Sequence, residues 1–231
     1  MISLTWLGHS SFELTLASGE TYLLDPWLEN PKAPAGYKPK RLDGILLSHG
    51  HFDHIASVQP LAAEFGCPVL GIYDLTTWLE SKGVKNTIGM NKGGTAKLGA
   101  ITVTLTHASH SSSFVEDGKF IPLGEACGLV IGLPDGRAIY FAGDTDVFGD
   151  MRLIADLYQP EIAILPIGDF YTMGPKQAAM ACRLLRAKTV IPMHYGTFDA
   201  LSGTPQALSD LIADLKDVKV LSPLPGNTVS I

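Results

Sequence analysis

Ser48-His49-Gly50-His51-Phe52-Asp53-His54 decides how this chain is read. Three histidines and an aspartate fall within six residues, directly after the apolar run Gly44-Ile45-Leu46-Leu47 and just before an apolar helical pattern. For a lone histidine a surface or core role is the default; four such groups crowded together ask for another account. Imidazole and carboxylate are the ligands that suit zinc and related divalent ions. In an extended segment side chains alternate, so His49 and His51 point to the same side. Asp53 and His54 follow as the chain turns into the helix, where they can face a second metal close by.

Such a site needs donors from elsewhere, and they stand where apolar strands end. Tyr140-Phe141-Ala142-Gly143-Asp144 closes one strand with an aspartate, and Val190-Ile191-Pro192-Met193-His194 closes another with a histidine. Thr106-His107-Ala108-Ser109-His110-Ser111-Ser112 offers two more histidines after a long strand. All seven histidines lie at strand ends or in the central cluster, and a shared metal site accounts for them together. The serines from Ser109 to Ser113 are read as hydrogen-bond partners of ligands or substrate, not as nucleophiles.

Around this cluster the pattern alternates strands and helices. Ser11 to Leu16 and Thr21 to Leu24 read as a hairpin ended by Asp25-Pro26, and the Pro- and Lys-rich stretch 30–40 as an exposed loop. A helix is expected from Ile55 to Phe65, a strand from Pro68 to Ile72, a helix from Leu75 to Ser81 and strands between Thr87 and Thr106. Gly93-Gly94 reads as a hairpin turn, Pro134-Asp135-Gly136-Arg137 as another. Strand 162–167, helix 175–187, strand 189–193, a helix near 205–215 and a last strand complete the order. The longest irregular stretches, 30–40 and 114–124, are the expected substrate walls. Strand-rich halves that each carry helices predict an α/β fold, a sandwich of two sheets with helices outside, in one domain over 1–231.

Composition narrows the classes. Hydrophobic residues make up 46% of the 231 and charged residues 17%, which excludes long disordered segments. A net charge of −6 supplies no basic face for nucleic acid. Cys67, Cys127 and Cys182 form no CxxC pair and read as buried reduced thiols. No apolar run reaches the roughly 18 residues of a membrane span, and the opening Ile2 to Leu7 is strand-like, with no signal-peptide core. The expectation is a cytoplasmic protein with a small-molecule substrate and no membrane partner, with nucleic acid disfavoured; homo-oligomerisation is left open.

Taken together, the HxHxDH motif at His49 to His54, the later histidine, Gly143-Asp144 and His194 resemble the metallo-β-lactamase superfamily. Trp6-Leu7-Gly8-His9-Ser10-Ser11, Asp25-Pro26, Gly143-Asp144-Thr145 and Pro166-Ile167-Gly168-Asp169 narrow the resemblance, as do Met173-Gly174-Pro175 and Met193 to Phe198. They are similar to a small branch of predicted metal-dependent hydrolases related to the ascorbate-phosphate lactonases. The resemblance implies a four-layer αββα sandwich of two mixed sheets with helices on the outside, and a centre of two divalent metal ions. Zinc is expected first; manganese, nickel and iron bind similar ligands.

The resemblance assigns His49, His51 and one histidine of the third motif to the first metal. It assigns Asp53, His54 and His194 to the second, with Asp144 bridging. His110 is chosen over His107 because His-Ser-Ser-Ser matches the family's third motif better. A metal-bridging hydroxide would cleave an ester, lactone or phosphodiester, with Asp53 orienting it or taking its proton. His9, Asp25, His107, Asp169 and Tyr195 are expected to touch substrate or to hold a ligand in place. The alternatives are a nuclease of the RNase Z type and a catalytically silent metal-binding module.

Overall fold

Sixteen strands and six helices follow one another in the computed structural model, which describes residues 1–231. The chain begins β1 (Ser3–Trp6), β2 (Phe12–Thr15), β3 (Thr21–Leu24), β4 (Gly44–Leu46), α1 (Phe52–Ile55), α2 (Val58–Phe65), β5 (Val69–Ile72), α3 (Tyr73–Ser81) and β6 (Thr87–Met90). It continues with β7 (Thr95–Leu98), β8 (Ile101–His107), β9 (Ser113–Glu116), β10 (Lys119–Pro122), β11 (Cys127–Gly132) and β12 (Ala138–Phe141). The remainder is α4 (Met151–Tyr158), β13 (Ile162–Pro166), α5 (Pro175–Leu185), β14 (Thr189–Met193), α6 (Pro205–Leu211), β15 (Lys219–Val220) and β16 (Thr228–Ser230). These elements form two compact units, Met1–Gly94 with Ser111–Ala126 and Pro223–Ile231, and Thr95–His110 with Cys127–Ser222.

The first unit holds a seven-stranded sheet in the order β16-β1-β2-β3-β4-β5-β6. Its β16 to β3 half is antiparallel and its β3 to β6 half parallel. Burial follows that division. β2 alternates buried and half-buried residues, as a strand with one covered face does, whereas β3 and β5 are buried at every position. Trp6, Phe12, Leu14, Tyr22, Ile45 and Leu46 are the large side chains of this core. Burying each Leu or Phe there is worth about 1.5–3 kcal/mol. α2 ends on Gly66 at φ 64°, whose N–H closes on Ala62 O at 2.9 Å.

The second unit repeats the plan with the order β15-β14-β13-β12-β11-β8-β7. Its strands from β12 to β15 run parallel, and those from β12 back to β7 antiparallel. Helices α4, α5 and α6 contribute Met151, Ile154, Ala178, Cys182, Leu185 and Leu208 to a core shared with Tyr140, Ala163, Leu165 and Val190 of the sheet. Pro175 opens α5, where its missing N–H costs nothing, and Thr204 Oγ1 accepts from Ala207 N at the start of α6.

The structure revises several expected elements. The helix expected over 55–65 is two pieces. α1 starts inside the motif at Phe52, and the chain breaks at Ser57 because its N–H goes to Pro26 O and its hydroxyl serves Leu28 N and Glu29. Gly93-Gly94 makes a turn but no hairpin, since β6 and β7 belong to different sheets. The stretch 114–124, expected to be irregular, is largely the β9–β10 hairpin, with Val115 paired to Phe120. α4 had no counterpart in the sequence reading. The 30–40 loop is irregular as expected but anchored by buried Asn30, whose amide donates to Leu7 O and Trp27 O.

All three cysteines are free and buried, and burial pushes the Cys67 thiol up to about 11 and Cys182 to about 12. No helix is long and apolar enough to cross a membrane.

Candidate metal centre

Every candidate donor stands just beyond a strand's C-terminal end, the edge of a parallel sheet where ligands are commonly bound. In the first unit Asp25 follows β3 and the His49 to His54 segment follows β4. The ring nitrogens His49 Nε2 and His51 Nδ1 face one another at 2.9 Å. The outer His51 Nε2 lies 3.4 Å from Ser111 Oγ. Gly50 between them is required by a close approach: a Cβ there would stand 2.5 Å from Leu123 Cδ1. Ser112 Oγ ties the two segments, accepting from Gly50 N at 3.1 Å and donating to Leu123 O at 3.1 Å.

α1 places Asp53 and His54 on its first turn. His54 is fully buried, and its Nδ1 lies 2.7 Å from Asp25 Oδ2 while Nε2 lies 3.8 Å from Asp53 Oδ2. Asp53 Oδ2 in turn sits 2.9 Å from Nε2 of buried His9. One donor atom from each of His9, Asp53 and His54 falls within 4.8 Å of the others, and so does one from each of Asp25, His49 and His54. Asp25 is fully buried and accepts from Ser48 N at 2.8 Å and Ser48 Oγ at 2.5 Å besides facing His54. Burial pushes its carboxyl above the usual range, while His54 and the Ser48 donors pull it back. One backbone N–H and one hydroxyl donate to its oxygens, and His54 Nδ1 faces Oδ2.

In the second unit Asp144 follows β12, Asp169 follows β13, and His194 follows β14. Buried Asp144 presents Oδ2 to His194 Nε2 at 3.0 Å and to His110 Nε2 at 3.7 Å. The His107 ring stands edge-on to Phe148 at 4.8 Å between centroids. Tyr195 Oη contacts Ser222 Oγ at 3.3 Å, and Asp169 Oδ1 accepts from Phe170 N at 2.8 Å. Thr145 Oγ1 accepts from Ser109 N at 2.9 Å, which steadies the segment leading to His110.

Backbone strain singles out the same places. Eight non-glycine residues have positive φ. Gln159 and Arg186 end helices, and Asp117 turns the β9–β10 hairpin. The other five are His9, Asp25, Asp169, Phe170 and His194. Each left-handed residue of this kind costs about 1–3 kcal/mol and persists where the surroundings over-determine it. Gly168 shows how tightly His194 is held, because a Cβ there would meet His194 O at 2.0 Å.

The role of Ser48 is not legible in the sequence, where the one signal is a hydroxyl at the end of a buried strand directly before His49. No spacing announces the pinning of Gly50 by Ser112.

The chemistry of the donors fits a divalent cation: imidazoles and carboxylates are gathered at strand ends, and buried His54 has a carboxylate on Nδ1 that turns Nε2 toward Asp53. A family model for the beta-lactamase superfamily domain matches residues 20–195. The chain is 53% identical over 229 residues, 99% of both chains, to a UPF0173 metal-dependent hydrolase of Solibacter usitatus. It is 44% identical to another of Roseiflexus castenholzii, over 99% of this chain and 97% of that one. Among solved structures, the metallo hydrolase Igni18 of Ignicoccus hospitalis superposes with a TM-score of 0.87 at 34% identity, covering 99% of this chain and 97% of its own. The chain therefore belongs to the beta-lactamase superfamily and, within it, to the UPF0173 metal-dependent hydrolases. The expected metallo-β-lactamase-like α/β fold, with two mixed sheets and helices, is the fold of this protein.

Proposed function

We propose that this protein is a dinuclear hydrolase of small-molecule esters, lactones or phosphodiesters, working in the cytoplasm. His49, His51 and His110 would hold one divalent ion, Asp53, His54 and His194 the other, and Asp144 both. Zinc is the first expectation from the donor types. The observation that carries the reading is Asp144: one oxygen of a buried carboxylate faces Nε2 of His194 and of His110, residues assigned to different ions. A carboxylate between two imidazoles is placed to serve two cations, and burying it without a cation is costly.

When bound, the ions supply Lewis acidity and water made acidic near neutral pH. The chain's own groups do the rest. Asp53 is half-buried and held by His9 at 2.9 Å, so its carboxylate is aimed and able to accept the proton of an attacking water. Asp25 holds His54 in the tautomer whose lone pair is on Nε2. His107, against Phe148, takes no part in holding metal.

Elemental analysis after controlled reloading tests this. The expected result is about two equivalents per chain, with hydrolysis of a lactone, aryl ester or aryl phosphodiester abolished by chelation and metal content falling in Asp144→Ala. A single equivalent that survives Asp144→Ala would overturn the dinuclear assignment.

A further inference from the structure

Ser48 belongs to no ligand set, yet it lies between two of them. Its backbone N–H and its hydroxyl both donate to Asp25, at 2.8 and 2.5 Å, and the same Oγ stands 2.9 Å from His49 Nδ1. Ser48, Asp25, His49 and His54 are all buried, so bulk water does not compete for these bonds.

A hydroxyl has one proton to give. An ionised Asp25 is an acceptor only and takes it; were the proton turned to His49, two lone-pair oxygens would face each other at 2.5 Å. Ser48 Oγ must then accept from its other neighbour, which makes His49 Nδ1 the protonated nitrogen. His49 Nε2 is left with its lone pair, on the side where it faces His51. The same Asp25 Oδ2 lies 2.7 Å from His54 Nδ1; accepting there puts the lone pair of His54 on Nε2, which faces Asp53.

We propose that Ser48 is a positioning residue that extends Asp25 to His49, so that one buried carboxylate fixes the coordinating tautomer of a histidine in each half of the dinuclear centre. This rests on the assignment of His49 to one ion and His54 to the other. Partners of metal-bound histidines commonly govern affinity by 10–100-fold. Ser48→Ala should therefore weaken the site holding His49 by roughly that factor, although the serine touches no metal. Threonine keeps the hydroxyl and suits a strand end.

The test uses metal-stripped, 15N-labelled full-length protein and imidazole 15N–1H correlation spectra, with the His49 signals identified by their loss in His49→Gln. Wild type should show His49 protonated on Nδ1. Ser48→Ala should shift the proton toward Nε2 and weaken Zn2+ binding in chelator competition, and Ser48→Thr should restore both. A wild-type His49 protonated on Nε2 would overturn the proposal. So would Ser48→Ala that keeps the Nδ1 proton and wild-type Zn2+ affinity. If Ser48→Ala does not fold, the wild-type and Ser48→Thr spectra still decide. Absence of metal binding in wild type would sink the dinuclear function, while the metal-free spectra would still report on the wiring.

Discussion

Replacing Asp25 with asparagine changes charge and almost nothing else. The backbone there has φ 42°, a left-handed conformation that asparagine tolerates unusually well, so the fold around residue 25 should survive. What changes is the proton inventory. Asp25 accepts from Ser48 N, Ser48 Oγ and His54 Nδ1. An amide oriented to keep the Ser48 N–H bond turns its NH2 toward His54 and Ser48 Oγ. His54 then has to carry its proton on Nε2, the atom meant for metal, and the released Ser48 proton swings to His49 Nδ1. The opposite amide orientation sets NH2 against the buried Ser48 N–H, leaving a donor unsatisfied at about 1–3 kcal/mol. The second orientation costs fold stability, and the first costs metal binding, where a 10–100-fold loss for each ion is about 1.4–2.7 kcal/mol. Competition against a chromophoric chelator, with far-ultraviolet circular dichroism to confirm the fold, measures it. Zinc affinities within threefold of wild type, in an Asp25→Asn protein that is also as stable to urea as wild type, would refute the reasoning.

Three further outcomes are expected. His110→Ala should lose metal while His107→Ala keeps it, because His110 faces Asp144 whereas His107 packs against Phe148; inductively coupled plasma analysis of both variants decides. Gly50→Ala drives a Cβ to 2.5 Å from Leu123 Cδ1 and should destabilise by about 1–3 kcal/mol, with urea unfolding showing partial recovery in Gly50→Ala/Leu123→Ala. Burial alone would raise the Asp43 carboxyl, but the Arg41 guanidinium and Thr21 N–H draw it below its ordinary value near 3.8. A depressed carboxylate stabilises the fold above its unfolded pKa and loses that contribution as pH falls through the folded one. Asp43→Asn should therefore shallow the loss of urea stability below pH 4; an unchanged acid limb would count against that ion pair.

The fold was legible wherever one element declared itself locally. The buried run before His49, the Pro134 to Arg137 turn and Pro175 at the start of α5 all carry their signal within a few residues. Gly93-Gly94 shows the limit: the pair announces a turn, but whether the next strand returns to the same sheet depends on long-range pairing. The hairpin at 113–122 was hidden for a similar reason, since Val115 and Phe120 are exposed and give no core-facing alternation. At the site, donor types and strand-end positions could be read from sequence. The direction of each proton could not, because Ser48, Asp25, His49 and His54 acquire their roles only from distances between segments far apart in the chain.

The first unit is assembled from three stretches of chain, and its sheet is finished by β16 pairing with β1, with Leu4 opposite Val229. During synthesis β1 leaves the ribosome long before β16, its neighbour on one side. Until β16 emerges β1 has an unpaired edge, the kind of template on which other strands add themselves. Nascent chains of this protein should be most vulnerable to aggregation while residues 95–222 are being made, and a chaperone that shelters strand edges would have its longest task here.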